Sequence, residues 1–396
     1  MDFSILKEKC IEKLKRTSAR IKDEIPYTTE NGIYNDYSGE KRLFWWTNSF
    51  WAGIMWQMYD ETGEKVYSDY AISIEEKLRT ELYRFDRLDH DLGFLWLLTG
   101  VENYRHTESK DAKNAALLAA SILASRFCVV PGIIRAWNFD RTDGIAIIDC
   151  MMNLPLLHWA SKELGDRRFS DIAKTHADNV MKHFVREDGS VCHIVKFDEN
   201  GVNAPIECEG QGYSVGSAWT RGQGWAIYGF IQSYQWTKEE RYLETSMKVA
   251  DYFISEAEKI AYKIKCDFRQ PEDAELYDSS ASAIAACGMI EIYKATKDEK
   301  YLEATKKLLE VCDKEFCPWD DKNDEALMNY GCAMYREPKQ QSLIYGDYYF
   351  FSQGLLVYKK SLYVDTPNFR FDIDIENPEL WDISNDKNKM YTFKLT

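Results

Sequence analysis

The sequence predicts an all-α protein: an (α/α)6 toroid, or barrel, of six helical hairpins with a few short strands in the loops. Two observations predict this fold. First, one pattern recurs in which a threonine is followed five residues later by a tyrosine, with apolar residues at helical spacing on both sides. The copies are Thr62 with Tyr67, Thr237 with Tyr242 and Thr296 with Tyr301, and a weaker copy has Leu164 with Phe169. Second, the first helix of each hairpin is more apolar and aromatic than the second, as an inner ring of helices requires.

The other elements fit this arrangement in chain order. The N-terminal stretch MDFSILKEKCIEKLKRTSARIKDE has apolar residues at helical spacing and predicts an amphipathic helix. LLTGVENYRHTESKDAKNAALLAASIL predicts another hairpin with a longer turn, and FFSQGLLVYKKSLY begins a sixth unit. Strand signals are few, and the clearest is VCHIVKF at 191–197. We expect a single (α/α)6 domain over residues 1–396, with 365–396 a C-terminal tail of unassigned role.

The long irregular segments all precede the first helix of a hairpin. They are KRLFWWTNSF, RFDRLDHDL, WNFDRTDGIAIID, EGQGYSVGSAWTRGQG, AELYDSS and QQSLIYGD. In a toroid of alternating inner and outer helices, the loops that precede inner helices lie at one end. The polar residues of these segments are therefore expected to line one mouth.

Composition and charge disfavour several classes of protein. The 396 residues are 45% hydrophobic and 29% charged, which is typical of a globular protein with a large core. A net charge of −15 disfavours nucleic acid and anionic membranes as partners, because both bind basic groups. No apolar run approaches the roughly 18–20 residues that span a bilayer, and the N-terminus lacks the apolar core of a signal peptide. Ten cysteines without a CxxC pair favour free thiols, so a cytoplasmic location is predicted.

Asp91 and Asp149 are the candidate catalytic residues. Each begins an inner helix, so the alternative for each is a helix cap stabilised by the helix dipole. Asp149 lies within IAIIDCMMNL, where a charge among apolar neighbours is costly unless it is paired or used. A carboxyl group in such surroundings should have a raised pKa, as a general acid needs. Two carboxylates on adjacent inner helices suit glycoside chemistry.

The stretch WTRGQGW at 219–225 offers candidate binding residues. Arg221 is suited to bind a carboxylate, while Trp219 and Trp225 provide flat faces for a sugar ring. The alternative is a structural arginine stacked on aromatic side chains. The first mouth segment adds three tryptophans, at least one of which is expected in the core: Trp45, Trp46 and Trp51.

Neither a catalytic metal nor a cofactor is expected. His90, His193 and the neighbouring aspartates are possible ligands, but no two histidines have the i, i+4 spacing of a helical zinc site. The sequence also has no GxGxxG after a strand and no Walker loop.

Six stretches between about residues 40 and 360 occur in the order of a known family: WTNSFWAGIMW, LDHDLGFLW, IIDCMMNLPLLHWA, GSAWTRGQGWAIYGF, DSSASAIAACGMIEI and YGDYYF. Together they resemble the unsaturated glucuronyl hydrolases of glycoside hydrolase family 88. The resemblance implies an (α/α)6 barrel, in agreement with the hairpins. It also implies an enzyme that removes 4,5-unsaturated glucuronic acid from the non-reducing end of lyase-generated, glycosaminoglycan-type oligosaccharides, by hydrating the C4=C5 vinyl ether.

The resemblance also assigns roles to residues. The family's acid/base aspartate falls on Asp149 and its second essential aspartate on Asp91. The substrate-contacting positions fall on Trp46, His90, His193, Gln211, Arg221 and Trp225. The implied partner is an oligosaccharide that ends in an unsaturated uronic acid, and no cofactor is implied.

Some sulfate-accepting members of the family carry a serine- and lysine-containing motif near the C-terminus. The stretch that might correspond is DTPNFR, from Asp365 to Arg370, with an aspartate and an asparagine in place of the serines. This departure leaves Arg370 as the candidate sulfate-binding residue in the motif. A preference for sulfated substrates is therefore not expected.

Three other functions fit parts of the sequence. An unsaturated rhamnogalacturonyl hydrolase shares the toroid and the chemistry, but the second aspartate of LDHDLGF favours the glucuronyl substrate. A sugar 2-epimerase on the same toroid would use histidines for proton transfer, whereas the buried ionisable candidate here is an aspartate. A non-catalytic sugar-binding protein would account for the tryptophans but not for Asp149. The sequence leaves the glycosidic linkage open, and it is compatible with a monomer or a dimer.

Overall fold

The computed structural model describes residues 3–39, 42–138, 144–358, 362–366 and 369–373, with side chains described as far as residue 352. Glu40, parts of two expected mouth segments (Lys41 and 139–143), Pro367 and Asn368 of DTPNFR, and the tail at 374–396 lie outside the described residues. The α-helices are α1 (Phe3–Ile21), α2 (Phe50–Thr62), α3 (Lys65–Arg79), α4 (Leu92–Trp96), α5 (Glu102–Thr107), α6 (Lys110–Ser125), α7 (Leu154–Leu164), α8 (Arg167–Phe184), α9 (Thr220–Thr237), α10 (Glu240–Lys259), α11 (Ser279–Thr296), α12 (Glu299–Val311) and α13 (Ile344–Tyr358).

These helices form two concentric rings. The inner ring runs through α2, α4 with α5, α7, α9, α11 and α13; each packs on the next, and α13 packs on α2. A π-helical stretch, Leu97–Val101, joins α4 to α5 and contacts α2. The outer helices α3, α6, α8, α10 and α12 each pack on the inner helix that precedes them. The predicted (α/α)6 toroid is confirmed.

The sixth helix pair differs from the prediction. The stretch FFSQGLLVYKKSLY is expected to open a hairpin, but α13 ends at Tyr358 and the next described element is a strand. The N-terminal helix α1 packs against α13 and takes the outer position. Leu6, Cys10 and Leu14 of α1 are buried, so an apolar face from the start of the chain covers the last inner helix. The ring is thus closed by the first and last helices that the structure describes.

Five inner helices end in the same turn. The residue after each helix has a left-handed conformation, and the outer helix begins two residues later; these residues are Gly63, Glu108, Gly165, Lys238 and Lys297. In four turns a threonine hydroxyl accepts a hydrogen bond from the backbone N–H two residues on, at 3.2 Å: Thr62, Thr107, Thr237 and Thr296. This bond accounts for the recurring threonine. The longer turn expected in the second hairpin is wrong, because the π-helical stretch takes up the extra residues upstream of Thr107.

The strands are short and lie in the loops: β1 (Thr29–Glu30), β2 (Ile33–Tyr34), β3 (Phe127–Cys128), β4 (Ile133–Ile134), β5 (Ile145–Ile147), β6 (Ile194–Lys196), β7 (Ile206–Cys208), β8 (Leu362–Thr366) and β9 (Phe369–Ile373). The pairs β1–β2, β3–β4 and β8–β9 are antiparallel, and β5–β6–β7 form an antiparallel three-stranded sheet. The strand predicted within 191–197 is confirmed as β6. Its register pairs Ile147 with Ile194, which brings the segment before Asp149 beside the segment that follows His193.

No helix in the described ranges combines the length and apolar character needed to cross a membrane. All ten cysteines fall within those ranges, and none of them forms a disulfide.

One close helix contact lies under the mouth. Gly93, in α4, packs against Asn153, and a Cβ added at Gly93 would lie 2.3 Å from the Asn153 Cα and 2.6 Å from its Oδ1. The Phe94 N–H donates to that same Oδ1 at 2.7 Å. Only glycine allows the second and third inner helices to approach this closely.

We expect Gly93→Ala to destabilise the protein by about 1–3 kcal/mol, because the methyl group has to displace backbone. An exposed helical glycine would instead gain slightly from alanine. Thermal unfolding measures the change, and Gly39→Ala is the matched control, since its Cβ would meet no atom within 4 Å. Equal melting temperatures for Gly93→Ala and the wild type would show that the helices move apart freely here.

Candidate active site

The segments before the inner helices meet at one end of the ring, as predicted. Trp46, which precedes α2, packs on Tyr345 of α13 with ring centroids 4.8 Å apart. The Asn153 amide Nδ2, before α7, donates to Asp91 Oδ1, before α4, at 3.3 Å. Arg221, in the first turn of α9, donates to the Ala333 carbonyl at 2.6 Å. These contacts join the segments into one site.

Asp91 precedes α4 directly, but its side chain makes no capping hydrogen bond. The carboxylate instead accepts the Asn153 amide and lies 3.6 Å from His90 Nε2. Its side chain is only 13% exposed. The helix-cap alternative therefore does not describe Asp91, whose carboxyl group faces the site.

Asp149 lies in a 3₁₀ turn, Ile148–Met152, immediately after β5. Its Oδ2 is buried without a hydrogen-bond partner in the described structure, 3.5 Å from His193 Nε2. The Ile148 N–H donates to the His193 carbonyl at 3.0 Å, so the β5–β6 pairing sets this approach. Ile148 and Asp149, which begin the turn, thus place the Asp149 carboxyl group against the His193 imidazole.

His193 has a defined orientation. The Gln211 backbone N–H donates to His193 Nδ1 at 2.8 Å, which makes Nδ1 the acceptor and leaves the Nε2 proton facing Asp149. The ring lies 4.2 Å from the Trp219 ring, centroid to centroid. A Cβ at Gly210 would lie 2.1 Å from Nδ1, so the backbone can reach the imidazole only with glycine there. His193 is therefore held on three sides.

The carboxyl pKa values differ from the prediction. Burial and the charge of Asp149 raise the pKa of Asp91 to about 7. Burial also acts to raise the pKa of Asp149, but His193, His90 and Arg221 outweigh it, and the pKa lies below its ordinary range. The prediction of a raised pKa at Asp149 is wrong, because the sequence did not show the cations and imidazoles around it. The folded protein therefore holds a proton on Asp91 below about pH 7, whereas Asp149 is ionised near neutral pH.

Asn153 is a site residue that sequence reasoning missed. It is fully buried, and its amide donates to Asp91 Oδ1 at 3.3 Å and to the Asp149 carbonyl at 3.4 Å. The amide therefore ties together the two segments that carry the carboxylates. A signal was present, since Asn153 is a polar residue within MMNLPLL, four residues after Asp149.

Asp89 and His90 are two further ionisable residues, next to Asp91 in the chain. Burial and the charge of Asp91 raise the pKa of Asp89 to about 6, and Asp89 Oδ1 accepts the Asp91 N–H at 2.9 Å. Burial lowers the pKa of His90, which favours the neutral ring. His90 Nδ1 is buried without a hydrogen-bond partner in the described part of the chain. That nitrogen is available to a ligand.

Arg221 fits the structural alternative. Its guanidinium donates to Asp278 Oδ2 at 2.6 Å, to the Cys332 carbonyl at 2.7 Å and to the Ala333 carbonyl at 2.6 Å. It also stacks over Trp219 at 4.6 Å, and only 2% of the residue is exposed. The prediction that Arg221 binds a substrate carboxylate is not supported by this geometry, because Asp278 already neutralises the guanidinium. The sequence did not show that a buried aspartate lies beside it.

The aromatic residues lie in three places: the wall of the mouth, the core and the rim of the mouth. Trp225 is fully buried, with its ring centroid 6.5 Å from that of Trp46, and its Nε1 has no hydrogen-bond partner among the described residues. Trp51 is the predicted core tryptophan, buried with its Nε1 donating to the Lys22 carbonyl at 2.9 Å. Trp45 is 38% exposed at the rim. Gln211 donates its amide Nε2 to the Ala333 carbonyl at 2.9 Å.

Comparison with known proteins identifies the family. The model of Glycosyl Hydrolase Family 88 matches residues 17–233. An unsaturated glucuronyl hydrolase of Bacillus sp. strain GL1 is 33% identical over 351 residues, which cover 85% of this chain and 91% of the relative. The chain belongs to glycoside hydrolase family 88. The predictions of this family and of an enzyme are confirmed.

Solved structures agree with the fold. The crystal structure of an unsaturated glucuronyl hydrolase from Bacillus sp. GL1, described as responsible for glycosaminoglycan degradation, has a TM-score of 0.80 at 32% identity, covering 88% of this chain and 94% of that one. A mutant unsaturated glucuronyl hydrolase of Streptococcus agalactiae, complexed with dGlcA-GalNAc6S, has a TM-score of 0.74 at 25% identity, covering 90% and 91%. In the described part of this family 88 chain, no group of three or more His, Cys, Asp or Glu side chains is arranged to hold a metal ion.

The raised pKa of Asp91 predicts a pH-dependent stability. In the unfolded chain its pKa is near 3.9, so the folded state holds the extra proton between that value and about 7. Stability therefore falls as pH rises through this window and stays lower above it. We expect Asp91→Asn to unfold at a higher denaturant concentration than the wild type at pH 8. The gain corresponds to at most about 4 kcal/mol, at about 1.4 kcal/mol per pKa unit, and it vanishes near pH 4.

Denaturant unfolding at pH 4, 6 and 8 measures this gain. Asp171→Asn, which removes only an exposed ion pair with Arg167 on α8, is the matched control and should change stability by less than about 1 kcal/mol. A gain of equal size at all three pH values would mean that Asp91 titrates as it does in the unfolded chain.

The structural and the carboxylate-binding interpretations of Arg221 predict different stabilities for a variant without the guanidinium. We expect Arg221→Met to lose about 3–5 kcal/mol, because it leaves the Asp278 carboxylate buried without its partner. The double variant Arg221→Met with Asp278→Asn should recover part of this loss, since an asparagine can still cap α11 through the N–H of Ser280. Urea unfolding of the wild type, both single variants and the double variant measures the coupling. An Arg221→Met protein of wild-type stability would restore the carboxylate-binding interpretation.

Proposed function

We propose that this enzyme removes 4,5-unsaturated glucuronic acid from the non-reducing end of lyase-generated, glycosaminoglycan-type oligosaccharides. The observation that carries the proposal is the pair Asp91 and Asp149, whose pKa values are driven apart in an aromatic-walled mouth. Such a pair is suited to give a proton in one step and to take one in the next. The names of the Bacillus and Streptococcus relatives support the substrate class.

In the proposed reaction Asp149 acts on the vinyl ether. Its proton forms the new C4–H bond, and positive character develops at C5. The ionised Asp149 then takes a proton from a water molecule as the water oxygen bonds to C5. The resulting hemiketal opens, which leaves a hemiacetal at C1 that expels the rest of the saccharide. A proton and a water molecule suffice, so the proposal needs no metal and no cofactor.

The proton has to lie on Asp149 when C4 is protonated. Ring hydroxyls that donate to Asp91 favour its ionised form, whereas the negative charge of the bound uronate and the loss of water under the sugar raise the pKa of Asp149. Asp91, relieved of its proton, then offsets the positive character at C5 and holds ring hydroxyls. The low pKa of Asp149 in the free protein is thus compatible with its proposed role as acid and then base.

The proposed binding residues follow from unused polar atoms in the site. His90 Nδ1 and Trp225 Nε1 are buried without partners among the described residues, and a substrate oxygen can supply one. His193 Nε2 faces the reacting carboxyl group. Trp46 gives the sugar an apolar face, and the side-chain Oε1 of Gln211 can accept a hydrogen bond from a sugar hydroxyl. We assign Arg221 an indirect role: its buried pair with Asp278 holds α9 against the start of α11 beneath the site.

We further propose a cytoplasmic location. Its support is the ten cysteines, none of which forms a disulfide, as is usual in a reducing compartment. The net charge of −15 favours neither nucleic acid nor an anionic membrane as a partner. A monomer and a dimer both remain compatible with the proposal.

The three alternative functions account for fewer of these observations. A rhamnogalacturonyl substrate would use the same chemistry, but the similar proteins named above act on glucuronyl sugars by their names. An epimerase would require histidines as the proton-transfer pair, whereas the groups with opposed pKa shifts here are carboxyls. A binding protein has no use for the coupled titration of Asp91 and Asp149.

We expect Asp149→Asn to fold but to lose turnover by roughly 10²–10⁴-fold, because the amide keeps the shape without a transferable proton. The measurement is the loss of absorbance of the conjugated C4=C5 bond in an unsaturated glucuronyl disaccharide. Asp171→Asn is the control and should match the wild type. A variant that keeps more than about a tenth of the wild-type rate would remove Asp149 from this role, and stable absorbance with the wild type would overturn the hydration reaction.

A further inference from the structure

A second aromatic group lies at the rim of the mouth, outside the proposed uronate site. It consists of Tyr27, Tyr37, Arg42 and Trp45, all in the segment between α1 and α2, and is called the rim platform below. Tyr27 packs edge-on against Tyr37 at 5.1 Å and against Trp45 at 6.1 Å. The Arg42 guanidinium lies over the Tyr37 ring at 4.4 Å.

The rim platform stands at the same end of the ring as Asp91 and Asp149. The Tyr27 carbonyl accepts the N–H of Ile344, the first residue of α13, at 3.0 Å. Trp45 directly precedes Trp46, whose ring packs on Tyr345 inside the mouth. Two consecutive tryptophans therefore have different surroundings: Trp46 forms part of the inner wall, and Trp45 packs on Tyr27 with 38% of its surface exposed.

The stretch 42–48 is held in place by hydrogen bonds within the chain. The Asn48 amide donates to the Arg42 carbonyl at 2.8 Å and to the Leu43 carbonyl at 3.1 Å. The Trp45 N–H donates to the Arg42 carbonyl at 2.9 Å, which closes a turn. A preorganised surface loses little conformational entropy on binding. Packing within the protein does not require the Trp45 indole to be exposed on this turn.

Arg42 gives the rim platform a charge. Its guanidinium carbon lies over the Tyr37 ring, the residue is exposed, and within the described residues it pairs with no carboxylate. In a protein of net charge −15, such an arginine beside a substrate mouth favours an anionic group.

We propose that the rim platform binds the sugar attached to the unsaturated uronate, with Trp45 stacking on its ring and Arg42 pairing with an anionic substituent such as a sulfate. This inference rests on the proposed function, because it assumes a saccharide seated at Asp91 and Asp149. It assigns recognition of the leaving sugar to the segment between α1 and α2. The described residues of DTPNFR lie instead in β8 and β9.

The test compares two disaccharides, dGlcA-GalNAc and dGlcA-GalNAc6S, by loss of absorbance of the double bond. We expect Arg42→Gln to lower kcat/KM for the sulfated sugar by about tenfold, as for one lost charge-assisted hydrogen bond. The same variant should leave the unsulfated sugar within about twofold, because no charged partner is lost there. Trp45→Ala should raise KM for both by about tenfold with kcat unchanged, since stacking binds substrate and transition state alike. Arg167→Gln, at the start of α8, is the matched control and should change neither.

Each outcome separates the two proposals. If the wild type converts the disaccharides and Arg42→Gln lowers both sugars equally, Arg42 does not bind the sulfate. If Trp45→Ala leaves KM unchanged, the rim platform does not hold the leaving sugar. Either result would overturn this inference alone. If the wild type converts neither disaccharide, the proposed function fails first. Melting temperatures of both variants within a degree or two of the wild type would exclude misfolding as the cause.

Discussion

The repulsion between two buried carboxyl groups is the interaction on which the site depends. Burial and the charge of Asp149 together raise the pKa of Asp91 to about 7. Bringing them together costs folding energy, and the surrounding residues have to offset it. Asn153 donates to Asp91, His193 faces Asp149, and neither carboxyl group can relax away without breaking these contacts.

The toroid supplies the frame that holds this pair. The β5–β6 register places His193 beside Asp149, and the close approach at Gly93 sets α4 against Asn153. Below them the buried pair of Arg221 and Asp278 joins α9 to the start of α11. Asp91 is therefore positioned by the contact of α4 with Asn153, and Asp149 by the β5–β6 pairing that brings up His193. Movement of any of these helices would change the proton balance of the pair.

Closure of the ring by the first and last described helices matters for the same site. Trp46 stands at the start of α2 and packs on Tyr345 of α13, across the seam that α1 covers from outside. The mouth is thus completed only when the first and last parts of the described helical ring have met. This seam also carries the rim platform, whose Tyr27 carbonyl binds the first turn of α13. Substrate recognition and ring closure consequently involve the same residues.

The repeat itself was predictable because its causes are local. A threonine that bonds to the N–H two residues on, followed by a left-handed residue and an amphipathic helix, leaves the same pattern at Thr62, Thr237 and Thr296. That repeat predicted the two rings of helices. The rings in turn predicted the common mouth and the meeting of Asp91 with Asp149. The sixth pair was not predictable in the same way. The helices α1 and α13 are far apart along the chain, and the sequence of neither helix indicates which helix it packs against.

What the tertiary structure alone decided is the electrostatic state of the site. The residues that could carry charge were visible along the chain, but a pKa depends on distances between segments. His193 lies forty-four positions from Asp149 in the sequence and 3.5 Å away in space, and that distance lowers the pKa which burial would have raised. Asp278 neutralises Arg221 across fifty-seven residues. Local pattern determined the helices and their order, whereas the charge on each group depended on through-space neighbours that no local pattern specifies.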